Sequence, residues 1–477
     1  MAESLQPATQ EFARALRGAL PQLRMPPFDE RFGSEPRGLF TCADALVVAP
    51  STVDQVSVIL SMSHEAGVPV IPFGGGTGLV GGQVSPDLDR PLVVSLHRLR
   101  AVRKVDVAAS SMTVEAGVTL QEVRTAAAGA GFRFPLSIAS KGSCNMGGVM
   151  ATNAGGVNVL RFGNARDLCL GVEAVLADGS VLDGLNELPK DNSGFDLKHL
   201  LIGSEGTLAI ITAARIRLFP AARDRATALL TLTGLSAASE LCARCKEILP
   251  DQLSAFELIN RIGLEFLVET GLRRSLPMRE TTEWLVLIDV DATQPMELDR
   301  KLFDVAESAQ DAGLVADGVF AHSESQRKGL WMMRELIPEA NSRIGAIASH
   351  DISIPIQSIV PFVEAATERL NGIGPFRVNC FGHFGDGNLH YNVFPPAGES
   401  RRNYMHLRDR IVGTVHALVR EFGGSTAAEH GCGRLKAAEL QLHGDATRLA
   451  TMHSIKRALD PRGIMNPGVI FRLPRMG

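Results

Sequence analysis

Two histidines flank a short turn in the segment "GHFGDGNLHYN". The Asp386-Gly387 pair between two apolar runs predicts a two-residue β-hairpin turn, which would place His383 directly opposite His390. Side chains opposite each other on one face of a hairpin have Cβ atoms about 5 Å apart, so both imidazoles would reach a single ion. Asn392 would share that face. A stacked pair of surface histidines without an ion is an alternative that the spacing leaves open.

A third ligand lies in the glycine-rich segment "AAEHGCGR", where Glu429 precedes His430. Two histidines and a glutamate with open coordination positions are typical of a catalytic zinc site, and manganese or iron would also suit this set. The segment therefore predicts a divalent metal, Zn²⁺ ahead of Mn²⁺ or Fe²⁺. His64, His97 and His453 lie on helical or strand patterns and are predicted to be structural.

Glycine-rich runs indicate a second ligand. The first run, "IPFGGGTGLVGGQV", contains the G-x-G-x-x-G pattern at Gly76, Gly78 and Gly81. A Rossmann dinucleotide loop would continue into a helix, but the "QVSPDLDRP" that follows here excludes one. The remaining interpretation is a turn whose backbone N–H groups surround a pyrophosphate. Two later runs, "SKGSCNMGGVMATNAGGVNVLRFGN" and "DLKHLLIGSEGTLAIIT", also lie at strand ends, and the three together predict one large cofactor.

These runs and the C-terminal "LDPRGIMNPG" resemble, in order and spacing, the FAD-binding fold of the vanillyl-alcohol-oxidase family, also called PCMH-type. Within it the sequence is most similar to the FAD-linked D-2-hydroxyacid dehydrogenases, the branch of the D-lactate and D-2-hydroxyglutarate dehydrogenases. The resemblance covers residues 38–472. It implies non-covalent FAD, because the glycine loop lacks the histidine of covalently flavinylated relatives. Phe73 and Val469 depart from the family, which often has arginine and lysine at these positions.

The resemblance implies which residues bind FAD. The pyrophosphate would be held by the first glycine run, at Gly74, Gly75, Gly76, Thr77 and Gly78, with Pro72 and Leu79 as further cofactor-binding residues. The flavin would be lined by residues of the later runs and the C-terminal segment, namely Gly142, Ser143, Asn145, Gly148, Thr152, Asn153, Glu205, Gly206, Ile210 and Asn466.

The resemblance also implies the catalytic roles. His383, His390 and Glu429 match the family's metal ligands, and His430 matches its catalytic base. Arg334, which in isolation would be interpreted as a helix-surface charge, matches an arginine that binds the C1 carboxylate of the substrate. Asn392 is a further candidate catalytic residue.

These parts predict the oxidation of a D-2-hydroxyacid to its 2-oxoacid. His430 would take the hydroxyl proton, the metal would hold the 2-oxygen, and flavin N5 would receive the hydride. With no iron–sulfur motif in the chain, the electrons would leave to an external acceptor such as an electron-transfer flavoprotein, a cytochrome or a quinone. A metal-dependent hydrolase and a non-catalytic flavin electron-relay protein are alternatives from other classes.

The substrate is predicted from two positions. Hydroxyglutarate-type members use a threonine and a lysine to bind the distal carboxylate, and here these positions are Pro338 and Ser349. A buried second carboxylate would then lack its strongest partner. His350 would point to the opposite face of its strand. We therefore expect a small substrate such as D-lactate. D-2-hydroxyglutarate, D-malate or glycolate is the alternative, which is kept because the motifs closely resemble those of the hydroxyglutarate branch.

The pattern of helices and strands around these residues predicts an α+β fold. A two-part PCMH-type FAD-binding domain would be joined to a ferredoxin-like cap, since the chain after Pro220 has the order β-α-β-β-α-β. The predicted parts are an N-terminal helical segment at 1–37, the FAD domain at 38–219, the substrate or cap domain at 220–428 and a C-terminal helical segment at 429–477, which returns to the FAD domain.

Composition sets the remaining expectations. A chain of 477 residues predicts two or three domains, and its net charge of −4 gives no reason to expect nucleic acid. No run reaches the ~18 apolar residues of a membrane span. Seven cysteines indicate a reducing compartment, hence a cytoplasmic protein, or a mitochondrial one in a eukaryote. Cys242 and Cys245 would be packed thiols on a helix rather than zinc ligands. A homodimer is left open.

Overall fold

The computed structural model describes residues 5–186, 188, 190–276 and 282–473. The chain forms two compact units. The first comprises Met1–Gly155, Gly163–Pro220 and His430–Gly477, and the second comprises Gly156–Phe162 and Ala221–Glu429. The fold is a mixture of helices and sheets, as predicted.

Both units contain β-strands. In chain order the strands are β1 Leu46–Val48, β2 Val70–Phe73, β3 Leu92–Ser95, β4 Val102–Asp106, β5 Ser111–Glu115, β6 Phe132–Arg133, β7 Cys169–Leu176, β8 Val181–Asp183, β9 Ala209–Arg217, β10 Phe219–Pro220, β11 Asp224–Leu232, β12 Leu253–Asn260, β13 Trp284–Ala292, β14 Val315–Phe320, β15 Ala348–Ser353, β16 Arg377–His383 and β17 Asn388–Phe394.

The helices connect and cover these strands. They are α1 Gln10–Ala19, α2 Glu30–Gly33, α3 Val53–Ala66, α4 Leu120–Gly129, α5 Met146–Ala151, α6 Val159–Phe162, α7 Ala165–Leu168, α8 Leu197–Leu201, α9 Leu235–Ile248, α10 Arg261–Glu269, α11 Leu298–Asp311, α12 Glu324–Glu335, α13 Ile337–Ile344, α14 Ile359–Asn371, α15 Arg408–Glu421, α16 Ala437–His443 and α17 Ala446–Leu459. None of the helices that the structure describes is long and apolar enough to cross a membrane.

The first unit contains two main sheets. One is parallel with the order β1-β3-β2, and the other is antiparallel with the order β4-β5-β9-β7-β8. Helix α3 begins at the predicted cap, where the Thr52 hydroxyl accepts from the Gln55 N–H at 3.2 Å, and it ends at Gly67 in the left-handed conformation. Residues 74–91, which follow β2, are all described and form no helix. The exclusion of a Rossmann loop is therefore confirmed.

The second unit is built on a seven-stranded sheet with the order β14-β11-β13-β12-β16-β17-β15. Its first four strands have the ferredoxin-like order predicted from the sequence, with α10 inserted between β12 and β13. Helices α9, α11, α14 and α15 pack on one face of the sheet, and α10, α12 and α13 pack on the other. Cys242 and Cys245 lie buried on α9 as predicted, and burial raises the pKa of these thiols to about 11 and about 12.

Candidate active site

Strands β16 and β17 form the predicted hairpin, but their register is shifted by two residues. His390 lies opposite Phe381 rather than His383. The predicted two-residue turn is wrong, because the connection is a 3₁₀ turn at Phe384–Asp386 followed by Gly387 with φ of 83°. A shift of two residues keeps every side chain on its original face, so the two imidazoles still lie together, with ring centroids 5.8 Å apart.

Glu429 presents one carboxylate oxygen to each histidine. Its Oε2 lies 3.8 Å from Nε2 of His383, and its Oε1 lies 3.5 Å from Nε2 of His390. Donor atoms bound at about 2.1 Å to one tetrahedral ion lie roughly 3.4 Å apart, so the His390–Glu429 distance suits a shared ion and the His383–Glu429 distance is slightly longer. Glu429 therefore lies within 4 Å of both predicted histidine ligands, and a set of imidazole and carboxylate donors suits a divalent metal.

Asp351 is a neighbour of this cluster that the sequence analysis missed. On β15 it pairs directly with His390, and one ligand atom each from Asp351, His390 and Glu429 lie within 4.8 Å of one another. Its Oδ2 accepts a hydrogen bond from the Glu429 main-chain N–H at 3.1 Å, and its Oδ1 accepts from the Asn388 amide at 3.0 Å. Asp351 thus fixes the backbone of Glu429 and is a further candidate ligand. An acidic residue in the mostly buried strand "ASHDIS" was the available signal.

Glu257 on β12 is the second residue that was missed. It is 0% exposed, and its Oε1 lies 2.6 Å from Nδ1 of His383. Its Oε2 accepts a hydrogen bond from Nε of Arg334 at 2.9 Å and forms an ion pair with Nη2 at 2.8 Å. A carboxylate at Nδ1 orients the imidazole and leaves Nε2 directed to Glu429. The single acid in "LSAFELIN" gave only a weak signal, because its partners are distant in the sequence.

Charge dominates the energetics of this buried group. Burial acts to raise the pKa of Glu257, but the positive charges of His383 and Arg334 outweigh burial and lower it to about 2. Burial likewise opposes the charged form of His383, yet the Glu257 carboxylate raises the pKa of that imidazole to about 9. The three side chains therefore form one buried ionic network.

Arg334 is buried on α12, at 6% exposure, so it is not a helix-surface charge. Its guanidinium carbon lies 4.8 Å from the centre of the Phe381 ring, and its Nε edge is occupied by Glu257. Among the residues that the structure describes, Nη1 makes no hydrogen bond. That atom is the part of the guanidinium that Glu257 does not engage.

The two positions used to predict the substrate lie in the same unit. Pro338 is in the first turn of α13, and Ser349 is an exposed residue of β15 opposite Asn392, which is 6% exposed. His350 is buried on the other face, with its ring 5.1 Å from that of His416. The predicted orientation of His350 is therefore confirmed.

In the first unit, the first two glycine runs pack against each other. A Cβ on Gly75 would lie 2.0 Å from the Ser143 carbonyl oxygen, so only glycine fits there. A Cβ on Gly74 would lie 3.8 Å from both Asn145 Oδ1 and Gly148 N. The predicted pyrophosphate loop and the predicted flavin residues are thus neighbours in the fold.

The third run and the C-terminal segment meet the first run at Asn466. Its amide nitrogen donates to the carbonyl oxygens of Gly82 and Glu205 at 3.0 and 2.8 Å. Its Oδ1 is buried and has no hydrogen-bond partner within the described ranges of the chain. A Cβ on Gly206 would lie 2.9 Å from the Pro72 ring. A buried acceptor beside closely packed glycine loops fits FAD, whose ring carries an N–H donor.

Other predicted flavin residues are engaged within the first unit. Asn145 donates to Gly117 O at 2.9 Å, the Thr152 hydroxyl donates to Gly148 O at 2.9 Å, and Asn153 Oδ1 accepts from Arg166 N at 2.9 Å. These side chains shape the turns around α5. Of the remaining predicted positions, Ile210 is 1% exposed in β9, Gly148 lies in α5, Thr77, Gly78 and Leu79 are half-buried, and Gly142 is exposed. His430 begins the C-terminal part of this unit and is half-buried.

Comparisons with known proteins agree with these features. The family model described as "FAD linked oxidases, C-terminal domain" matches residues 221–470, and the one described as "FAD binding domain" matches residues 45–184. A D-2-hydroxyglutarate dehydrogenase of Xanthomonas citri pv. viticola is 34% identical over 461 residues, with 96% of both chains covered. The mitochondrial D-2-hydroxyglutarate dehydrogenase of Bos taurus is 37% identical over 426 residues, covering 88% of this chain and 76% of the relative.

Solved structures share the fold. p-Cresol methylhydroxylase with substrate bound has a TM-score of 0.71 at 16% identity, covering 98% of this chain and 99% of that one. Alkyldihydroxyacetonephosphate synthase has a TM-score of 0.70 at 17% identity, covering 98% and 86%.

The fold and the sequence matches define an FAD-linked oxidoreductase of the PCMH type, and the chain belongs to the family of FAD-linked oxidases. Within that family it belongs to the FAD-linked D-2-hydroxyacid dehydrogenases. The branch predicted from the motifs is thus confirmed, and the hydrolase and electron-relay alternatives find no support.

Proposed function

We propose that this protein oxidises a D-2-hydroxyacid, D-2-hydroxyglutarate ahead of D-lactate, to the 2-oxoacid and passes the electrons to an external acceptor. The relatives of 34% and 37% identity support the diacid, since both bear the name D-2-hydroxyglutarate dehydrogenase. They favour the alternative over our expectation of D-lactate from Pro338 and Ser349.

The link that Glu257 makes between Arg334 and His383 carries this proposal. A 2-hydroxyacid has its carboxylate and its hydroxyl group on adjacent carbons. It therefore needs a cation and a ligand set for the hydroxyl oxygen at a fixed separation. The Glu257 carboxylate, which is 0% exposed, binds the candidate cation Arg334 through Oε2 and the candidate metal ligand His383 through Oε1. Their separation is thus set before substrate binds, which lowers the entropic cost of reaction.

Each residue then has a defined task. When bound, FAD supplies the acceptor for the C2 hydrogen with its electron pair, and the divalent metal lowers the pKa of the 2-hydroxyl group. Arg334 binds the C1 carboxylate through Nη1, and the Asn392 amide orients the substrate oxygens. His430 accepts the hydroxyl proton. The metal would be held by His383, His390 and Glu429, and FAD by the glycine loops of the first unit.

The exposure of Ser349 explains why the missing lysine need not exclude a diacid. The expectation of D-lactate assumed that the distal carboxylate becomes buried without a cation. Ser349 is exposed on the edge strand β15, so a carboxylate near it would keep part of its hydration. It would meet hydroxyl and amide groups, with Asn392 on the neighbouring strand, at a smaller desolvation cost.

Anaerobic flavin bleaching tests the function. The FAD-loaded protein is mixed with the D- and L-forms of 2-hydroxyglutarate, lactate and malate and with glycolate. We expect bleaching by D-enantiomers and, once an artificial electron acceptor is added to reoxidise the flavin, a higher kcat/KM for D-2-hydroxyglutarate than for D-lactate. A reversed preference would support D-lactate as the substrate, and a flavin that no 2-hydroxyacid bleaches would reject the proposed function.

A further inference from the structure

The carboxylate of Glu205 is directed at backbone, within the first unit. Its Oε1 accepts from the Cys432 N–H and its Oε2 from the Gly433 N–H, both at 2.8 Å. The main chain of Glu205 is also held, since its N–H donates to Ala151 O at 2.8 Å and its carbonyl accepts from the Asn466 amide at 2.8 Å. With φ of 52°, Glu205 occupies the left-handed region that residues other than glycine seldom adopt. The side chain is therefore fixed towards the segment after His430.

The glycines of the segment after His430 leave room for the Glu205 carboxylate and the Val80 carbonyl group because they lack a Cβ. Gly431 has φ of 85°, and a Cβ there would lie 2.9 Å from Oε1 of Glu205. Gly433 has φ of 52°, and a Cβ there would lie 2.2 Å from the Val80 carbonyl oxygen. The Arg434 N–H donates to that same carbonyl at 2.9 Å. The backbone from 431 to 434 is thus clamped between Glu205 and Val80, beginning one residue after His430.

We infer that Glu205 is a positioning residue that fixes His430 for proton transfer, rather than a side chain that contacts the flavin. This inference rests on the proposed function, in which His430 is the base. A base must lie within hydrogen-bond reach of its proton, and a displacement of about 1 Å can cost about 10²-fold in rate. Two backbone N–H hydrogen bonds to one carboxylate restrain the peptide groups that follow His430. They thereby restrain the direction of the His430 side chain.

Glu205→Gln tests the inference, with Glu35→Gln as a matched control. Glutamine keeps the shape but turns an NH₂ donor towards one of the two N–H groups. Glu35 lies in the same unit, and its carboxylate also accepts two backbone N–H groups, from Arg37 and Leu39. The control therefore loses the same kind of bonds on a different loop. Both variants should retain FAD and lose similar stability.

Stopped-flow reduction of the bound flavin by D-2-hydroxyglutarate separates the two variants. For Glu205→Gln we expect the limiting rate to fall about 10²-fold while the half-saturating concentration changes less than about threefold, because the base acts in the transition state. For Glu35→Gln both should stay within about twofold. Equal limiting rates in the two variants would overturn the inference. So would loss of FAD from Glu205→Gln with normal reduction of the flavin that remains.

Hydrogen exchange provides a readout independent of activity. The amides of Cys432 and Gly433 should exchange slowly in the unaltered protein and in Glu35→Gln, and faster in Glu205→Gln. Unchanged exchange in Glu205→Gln would also overturn the inference. His430→Asn is measured alongside. If His430→Asn reduces flavin at the unaltered rate, His430 is not the catalytic base and that part of the proposed function is wrong. If His430→Asn reduces flavin slowly while Glu205→Gln reduces it at the unaltered rate, only the role of Glu205 is wrong.

Discussion

Glu205 in the first unit and Glu257 in the second bear the same carboxyl group in enclosed sites, yet their pKa values shift in opposite directions. Desolvation raises the pKa of Glu205 and outweighs its two backbone N–H donors and the positive charge of Lys436. At Glu257 desolvation also acts to raise the pKa, but the charged partners His383 and Arg334 lower it to about 2. Full charges stabilise a carboxylate more than neutral amides do.

The difference separates two ways of building a site. In the first unit, main-chain groups and glycines shape the loops, and Glu205 joins loop segments. In the second unit, ionised side chains hold one another, and Glu257 orients two candidate substrate- or metal-binding groups. We therefore expect changes in the first unit to alter loop geometry, and changes in the second to alter charge balance and ion binding.

Metal removal should produce the largest effect. Dialysis against a chelator should abolish turnover, with a loss of at least about 10²-fold, because the substrate hydroxyl would keep a high pKa. The absorbance of bound FAD should not change, since none of the proposed metal ligands is among the residues proposed to bind FAD. Zn²⁺ or Mn²⁺ should restore the rate. Full activity in a preparation shown by elemental analysis to be metal-free would show that the reaction does not need a metal.

His430→Asn should have the next largest effect on rate. A general base typically contributes about 10²–10⁴-fold, so we expect a loss of that size in the rate of flavin reduction. FAD and metal contents should be retained, which absorbance and elemental analysis would check. A loss of less than about tenfold would mean that another group takes the proton.

Glu257→Ala should weaken metal binding by about 10–100-fold, the usual effect of losing the partner that orients a ligating histidine. It should also lower the free energy of unfolding by about 3–5 kcal/mol, because Arg334 and His383 would lose their buried counter-charge. Competition with a chromogenic chelator and urea unfolding would measure the two effects.

Asp289→Asn on the neighbouring strand β13 is the control for Glu257→Ala, since it also removes a buried carboxylate charge. Equal metal affinities in the two variants would contradict the orienting role of Glu257.

The sequence predicted local structure better than contacts between distant residues. The cap at Thr52, the end at Gly67 and the ferredoxin-like strand order follow from local patterns, and all three are present. The hairpin was placed correctly but its register was not, because the sequence does not reveal that Phe384–Asp386 forms a 3₁₀ turn.

Among the site residues, the predicted metal ligands lie together, but the buried acids behind them were missed. Glu257 is 126 residues from His383 and 77 residues from Arg334 in the chain, so neither pair leaves a spacing pattern. Asp351 was missed for a similar reason, since its partner Glu429 is 78 residues away. A single acid within a mostly buried strand is the signal that Glu257 and Asp351 share.

Asp289 allows the smallest and sharpest test of the comparison, because it lies in the sheet of Glu257 but has an environment closer to that of Glu205. Its carboxylate accepts from the Thr227 hydroxyl on β11, and it faces Arg327 and Trp331 of α12 and Asp291 of its own strand. Burial raises its pKa despite Thr227, Arg327 and Trp331. A carboxyl group whose pKa is higher in the folded state contributes stability that is present at low pH and is lost as the pH rises through the folded pKa.

Asp289→Asn should therefore leave stability at acid pH almost unchanged and raise it at neutral pH by no more than about 1–2 kcal/mol, the size of one buried hydrogen bond. Asparagine keeps an acceptor for Thr227 and removes the charge that burial disfavours. Urea unfolding of both proteins across the pH range from acid to neutral would measure the difference. A variant that is less stable than the unaltered protein at neutral pH would mean that Arg327 makes Asp289 an ionised partner like Glu257, and that the charges on α12 decide the behaviour of acids on this face of the sheet.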